Sequence, residues 1–285
     1  MPELPEIETI KNDLNQKILN KKIVQIDIRL PKIVKSPLSR FKTTLKNQTF
    51  KRVGRRGKLM ILEINNDLFL LIHLRMTGQL IYQEKNGIIA GGHSDAKLDF
   101  NLPGKHTHLF FTFDDKSQLF FNDLRQFGYA QLVNKKELAP ILLKFGVEPL
   151  EKEFTLNKLQ ELLKNKKRNI KAFLLDQSII AGIGNIYADE ILFASSVSPL
   201  RRTDTLTAKE ISNIHTNTKK ILQKAIKYRG TTFNNYVDSE GKKGSFLNFL
   251  QVYQRANKPC LKCKNLIQKT KVAGRGTSFC QKCQF

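Results

Sequence analysis

Four cysteines in the last 26 residues constrain the fold of this 285-residue chain more than any other feature. They read Cys260-x2-Cys263, sixteen intervening residues, then Cys280-x2-Cys283. Each CxxC forms a tight knuckle that aims two thiolates at one point, and two knuckles close a tetrahedral site. Zinc suits such a set best; an iron–sulfur centre and an accidental cluster are the alternatives. Four protein ligands leave no open position, so the metal is structural and does no chemistry. It stiffens a two-stranded ribbon whose tip lies near Val272-Ala273-Gly274-Arg275-Gly276-Thr277.

Residues 251–285 contain no acidic side chain and eight Lys or Arg. Four thiolates and one zinc ion together contribute about −2, so the ribbon keeps a net positive charge and suits phosphates. A zinc ribbon can equally bind protein; the charge favours nucleic acid. The whole chain carries 49 Lys plus Arg against 25 Asp plus Glu, a formal charge of +24. Nucleic acid, an anionic membrane or an acidic protein are the usual partners of such a surface. The basic residues are interleaved with apolar ones, which describes a folded face rather than a disordered arm. No apolar run approaches a membrane span. The acidic, amphipathic start does not resemble a secretory leader. A cytoplasmic setting is therefore expected, and in that reducing compartment the cysteines are not disulfides.

The chain opens Met1-Pro2-Glu3-Leu4-Pro5-Glu6. Loss of the initiator is expected and would expose the secondary amine of Pro2 beside the carboxyl of Glu3. An α-amino group titrates near 8, far below a free lysine, so part of it is a neutral nucleophile near pH 7. A secondary amine adding to a sugar carbon has no spare N–H and must form a cationic iminium, an electron sink that favours elimination of a neighbouring phosphate. Many chains begin Met-Pro for no chemical reason; the rest of this chain decides.

Ile7, Ile10, Leu14 and Ile18 recur on one helical face, with Pro5 suited to the first turn, and predict a helix over 5–19. Short strand-like runs follow from 22 to about 134, among them 22–30, 59–64, 68–74, 107–113 and 118–122, separated by breakers such as Asn65-Asn66-Asp67. An antiparallel sandwich or barrel fits best. The polar, glycine-rich stretch 83–104 reads as a long, mobile loop. From about 150 the period becomes helical: Thr155 caps 156–164, 171–176 and 185–194 follow, and Thr207 with Glu210 forms a capping box for a helix reaching about residue 228. The expected fold class is α+β, with a β domain over 1–134, a linker over 135–150, a helical domain over 151–240 and the ribbon over 251–285.

At this point the chain resembles the bacterial formamidopyrimidine-DNA glycosylases. The matching segments are Pro2-Glu3-Leu4-Pro5-Glu6, Gly57-Lys58, His73-Leu74-Arg75-Met76-Thr77-Gly78, Lys105-His106-Thr107-His108 and Asp123-Leu124-Arg125-Gln126-Phe127-Gly128. They continue with Gly182-Ile183-Gly184-Asn185-Ile186-Tyr187-Ala188, Gln251-Val252-Tyr253 and the cysteine ribbon. The resemblance runs from end to end and in order. It implies an N-terminal β-sandwich, a helix–two-turn–helix module and a zinc finger, with DNA in the cleft between the two halves. It further implies a monomer that removes oxidised purines from duplex DNA and cleaves the strand.

By this resemblance Pro2 is the nucleophile and Glu3 the catalytic acid. Glu3 would need a raised pKa to protonate the sugar ring oxygen, which burial can supply. A carboxylate offsetting a helix dipole is the plainer reading of Glu3, and both can hold. Lys58 assists proton transfer around the lesion by resemblance, while its spacing alone suggests a phosphate contact. Arg275 matches the finger arginine of the second elimination, where its fork suits a departing phosphate; an exposed loop arginine is the plainer alternative. His106, Arg125 and Lys166 match DNA-contacting positions. Asn185 opens a helix whose backbone N–H groups favour a phosphate. A stacked base must be turned out to react, and Met76, Arg125 and Phe127 match the wedge that fills the gap. Taken alone, Met76 and Phe127 would read as core.

The chain departs from the family pattern in two places. Gln126 replaces a second basic residue, and the 83–104 stretch is longer than usual. The rival functions are an endonuclease VIII-like enzyme for oxidised pyrimidines and a non-catalytic DNA-binding relative. The opening Glu3-Leu4-Pro5 favours the purine enzyme.

Overall fold

In the computed structural model, which describes residues 2–64, 67–85, 87–92, 102–231 and 245–285, the chain opens with helix α1 (Leu4–Lys17). Pro5 lies in its first turn, where a missing N–H costs nothing, and Ile7, Ile10 and Leu14 form its buried stripe. The chain divides into two units, Met1–Leu143 with Tyr228–Ser245, and Lys144–Lys227 with Phe246–Phe285. The sequence-based division places residues 228–240 with the helical domain.

The first unit continues with β1 (Ile23–Ile28), α2 (Leu38–Leu45), β2 (Phe50–Arg56), β3 (Leu59–Ile64) and β4 (Leu68–His73). It then runs through β5 (Gly78–Glu84), β6 (Gly87–Gly92), β7 (Thr107–Phe113), β8 (Gln118–Asp123), β9 (Tyr129–Asn134) and α3 (Lys135–Leu142). The strands form two antiparallel sheets, ordered β1-β7-β8-β5-β6 and β2-β3-β4-β9. Val53, Leu62 and Ile72 of one sheet share a single core with Leu80, Phe111 and Phe120 of the other. Phe50 meets Phe111 and Phe113 edge-on at 6.2 and 6.4 Å between ring centres. Burying each such ring stabilises the sandwich by about 2–3 kcal/mol before entropy is counted, so Phe111→Ala would cost about 3–5 kcal/mol.

Two expectations are corrected here. The 83–104 stretch is not one long loop: residues 83 and 84 complete β5, and β6 pairs with it from Glu84↔Gly87 to Gln79↔Gly92. Residues 93–101 lie outside the described part of the chain. The glycines that suggested a loop have another use. A Cβ on Gly91 would stand 2.2 Å from Ile10 Cγ1, so β6 needs glycine for α1 to pack on it. The 135–150 linker contains α3, started by a reciprocal capping box: Glu137 N–H donates to Asn134 Oδ1 at 2.9 Å and Asn134 N–H to Glu137 Oε2 at 2.8 Å.

The second unit holds α4 (Leu156–Leu163), α5 (Ile170–Leu175), α6 (Asn185–Ala194), α7 (Ala208–Lys227) and the hairpin β10 (Gln268–Val272) with β11 (Arg275–Phe279). Thr155 caps α4 through its hydroxyl, and Thr207 and Glu210 bond reciprocally at the start of α7. Nearly all of α6 is buried. No helix among the described residues is long and apolar enough to cross a membrane.

Candidate functional site

In the first unit, α1 sets the position of Pro2 and Glu3. Glu3 is the residue before the helix, its backbone extended, and its N–H donates to Glu6 Oε2 at 2.9 Å. Pro2, Glu3 and Glu6 are all buried. The helix is fastened to β2 by two bonds between Asn15 and the backbone of Val53, at 2.7 and 3.0 Å, and by the Arg55–Glu8 ion pair at 2.5 Å. β2 and β3 are joined by a two-residue turn, Gly57-Lys58, with Gly57 at φ 54°. That geometry favours glycine, and it delivers Lys58 to a buried position, 5% exposed. A buried lysine outside the apolar pattern is unusual and marks the site.

Next to Lys58, Leu59 pairs across β3–β4 with His73. Arg75 N–H donates to His73 Nδ1 at 3.0 Å, which leaves the ring proton on Nε2. Burial, with the like charges of Arg75, Lys58 and Lys35, holds His73 down to about 3. Lys35 Nζ sits 3.7 Å above the Tyr129 ring, and the Arg75 guanidinium lies 5.8 Å from it. Three cations thus gather around one neutral imidazole. Like charges held this close favour an anion among them. Tyr129 was not singled out from sequence, and His73 entered the reading only as the first residue of a matching segment, with no role assigned to it.

The proposed wedge residues come together. Arg125 Nη1 lies 3.1 Å from Met76 Sδ, and the guanidinium is 4.7 Å from the Phe127 ring centre. Phe127 is 54% exposed, which excludes the plain core reading for it; Met76 is half-buried. Their loop is fixed from beneath by Asp123, which is fully buried. Its Oδ1 accepts the Thr77 hydroxyl and Arg125 N–H, and its Oδ2 accepts Gly128 N–H, at 2.5, 3.1 and 2.7 Å. A Cβ on Gly128 would lie 2.7 Å from Phe121, so the loop re-enters the sheet only with glycine there. His106 joins the same region, its carbonyl accepting Asp123 N–H at 2.9 Å. Gln126, with φ 58°, is exposed at the loop's tip.

In the second unit, Asn185 begins α6 and donates through Nδ2 to Gly276 O at 2.9 Å, one residue from the exposed Arg275. Lys166 is exposed in the 164–167 turn, its N–H bonded to Leu163 O and its carbonyl accepting the Thr203 hydroxyl. Two acids that sequence reading passed over organise this unit. Glu190 accepts N–H groups of Gln251, Val252 and Tyr253, each at 2.9 Å, and burial raises its pKa. Asp189 pairs with Lys171 at 2.7 Å, both side chains essentially fully buried. Burial pushes Asp189 up to about 6 against the pull of that lysine.

The four cysteine sulfurs lie within 4.8 Å of one another, with Cys263–Cys280 at 3.4 Å and Cys260–Cys283 at 4.0 Å. Tetrahedral zinc–thiolate bonds place sulfurs about 3.8 Å apart. The donor set and its spacing therefore suit one structural zinc ion. Phe193, Val252 and Ile267 pack around it. At the ribbon tip Ala273 and Gly274 both have positive φ, 47° and 74°, as a two-residue hairpin turn requires.

Three family models match the chain in order: the formamidopyrimidine-DNA glycosylase N-terminal domain over residues 1–130, the H2TH domain of the same enzymes over 145–237, and a zinc finger found in FPG and IleRS over 257–284. A formamidopyrimidine-DNA glycosylase of Pelotomaculum thermopropionicum is 41% identical over all of this chain and 99% of its own length. One from Mycoplasma genitalium is 42% identical over all of this chain and 96% of its own. Among solved structures, Lactococcus lactis Fpg in complex with abasic-site DNA superposes with a TM-score of 0.86 at 36% identity, covering 99% of each chain. The wild-type Lactococcus lactis protein with DNA containing an oxidised pyrimidine gives the same TM-score, identity and coverage. Identity of this level along the whole length, together with the ordered domains, places the chain in the formamidopyrimidine-DNA glycosylase family.

Proposed function

We propose that the chain is a bifunctional DNA glycosylase and abasic-site lyase of base excision repair, acting on oxidised purines such as 8-oxoguanine and formamidopyrimidines in duplex DNA. The observation that carries this reading is the burial and fixation of Pro2 and Glu3 at the start of α1, braced against the hairpin that bears Lys58. A merely DNA-binding relative has no use for a buried carboxyl beside an N-terminal secondary amine.

With Met1 removed, the neutral Pro2 nitrogen attacks C1′ of the everted nucleotide, the base leaves with the electrons of the glycosidic bond, and the Pro2 N–H proton is passed on to the departing base. Glu3 gives a proton to the ring oxygen, the C1′–O4′ bond opens, and an iminium forms between Pro2 and C1′. Loss of a C2′ proton then expels the 3′ phosphate with the C3′–O3′ electron pair. Loss of the C4′ proton feeds electrons through the conjugated iminium and expels the 5′ phosphate with the C5′–O5′ pair. Water hydrolyses the remaining iminium and restores Pro2. Lys58 moves protons near the sugar, and Arg275 stabilises the second departing phosphate. Met76, Arg125 and Phe127 fill the place of the turned-out base, and His106, Lys166 and Asn185 contact DNA. The zinc ion holds the ribbon together and takes no part in these steps.

The test is product analysis on matched duplexes. The reading expects free 8-oxoguanine and a one-nucleotide gap bearing phosphates on both ends. Release of an oxidised pyrimidine in large excess over 8-oxoguanine would move the chain to the pyrimidine-specific branch.

A further inference from the structure

The fully buried Lys171–Asp189 pair has no place in the chemistry above, and burying two opposite charges is seldom a net source of stability. A well-packed apolar pair would fill the same space at less cost. What an apolar pair cannot do is grip a backbone. Lys171 Nζ has three N–H bonds to give, and Asp189 Oδ1 at 2.7 Å, Thr277 Oγ1 at 2.7 Å and Gly276 O at 3.2 Å lie around it. Asp189 Oδ2 in turn accepts Ser278 N–H at 3.0 Å. Asn185 adds a second donor to Gly276 O at 2.9 Å. Helices α5 and α6 therefore hold Gly276, Thr277 and Ser278, the three residues that follow Arg275 in β11. Arg275 itself is exposed; it pairs with Val272 across the hairpin, and its carbonyl accepts the Thr277 hydroxyl at 3.1 Å. Thr277 therefore links Lys171 to the Arg275 backbone, and the grip on these three residues sets where Arg275 stands.

We propose that the Lys171–Asp189 pair is a positioning device for Arg275, fixing the register of β11 so that the guanidinium meets the phosphate expelled in the second elimination. This rests on the role given to Arg275 above. Lys171 and Asp189 touch neither sugar nor phosphate in this scheme. They act through the strand, so their loss changes the partition between the two eliminations rather than the first attack.

The experiment uses full-length, zinc-loaded protein on duplex with a pre-formed abasic site. It reads the ratio of δ- to β-elimination product and, separately, the rate of borohydride trapping. Lys171→Met is expected to lower the ratio about tenfold, the scale of a small misplacement of a reacting group, with trapping nearly unchanged. Thr277→Val removes the hydroxyl that accepts from Lys171 and donates to Arg275 O and keeps the strand-forming shape; it is expected to lower the ratio at least about threefold, the worth of one hydrogen bond, and it serves if Lys171→Met does not fold. In an Arg275→Ala background, Lys171→Met should lower the ratio no further. A ratio left intact in folded Lys171→Met or in Thr277→Val overturns the proposal, as does a fall in trapping that matches the fall in δ product. If Arg275→Ala itself leaves the ratio intact, the role of Arg275 has failed; if Arg275→Ala removes the δ product and both other variants keep it, only the positioning proposal has failed.

Discussion

Glu6 and Thr231 are 225 residues apart in sequence and joined by two hydrogen bonds: Glu6 Oε1 accepts the Thr231 N–H at 2.8 Å and its hydroxyl at 3.1 Å. The other oxygen of the same buried carboxylate accepts Glu3 N–H. Gly230, at φ 80°, lets the backbone come this close, because a Cβ there would sit 2.5 Å from Glu6 Oε1. One carboxylate thus ties the start of the chain to residue 231.

Glu6→Ala would leave two backbone donors buried without this acceptor, at a cost of about 2–4 kcal/mol. The account expects a loss of that size in urea unfolding, together with slower borohydride trapping, since Glu3 and Pro2 lose their anchor. Glu6→Gln, which keeps one acceptor oxygen, should cost clearly less. An Ala variant as stable and as fast as the parent would contradict the anchoring role.

His73 gives a pH signature. Its folded-state pKa of about 3 lies below its unfolded value, near 6.5. The unfolded chain therefore binds the proton first. The contribution is fully present above about pH 6.5 and is lost as pH falls toward 3, at up to about 1.4 kcal/mol per pH unit. Thermal unfolding between about pH 6 and 4 should show a steeper fall for the parent than for His73→Gln. Parallel curves would show that His73 titrates normally.

The zinc site predicts a selective loss. Cys263→Ser should reduce metal content and loosen the ribbon, weakening DNA binding about tenfold or more, because binding energy at such a site is folding energy. Unchanged affinity in metal-free protein would mean that the ribbon does not contact DNA.

The sequence patterns that proved legible were local ones. The stripe Ile7, Ile10, Leu14, the hydroxyl cap at Thr155 and the Thr207–Glu210 box each depend on neighbours within one or two turns. The cysteine spacing was legible for the same reason, since each knuckle is a short-range geometry. What escaped reading depends on distant partners. Gly91 looked like a loop residue because the helix that needs its missing Cβ is 81 positions away, at Ile10. Asp123, Lys171, Asp189 and Glu190 are ordinary polar residues in a linear reading, and only the fold shows that they hold backbone from other segments. The Asn134–Glu137 capping box straddles the boundary drawn at residue 134 and was not read as a helix start.

A charge of +24 makes affinity a function of salt. With about six phosphate contacts, binding to lesion duplex should weaken about a thousandfold between roughly 50 and 200 mM salt. Lys166→Ala should reduce the log–log slope by about 1 and weaken all sequences alike. A flat profile would contradict a phosphate-dominated interface.

The covalent step at the N-terminus is tested most directly by borohydride trapping on duplex containing 8-oxoguanine, with mass analysis of the adduct. The account predicts a stable protein–DNA adduct on Pro2 of a chain lacking Met1, and none from Pro2→Gly. An adduct on another residue, or strand cleavage by a chain that retains Met1, would contradict it.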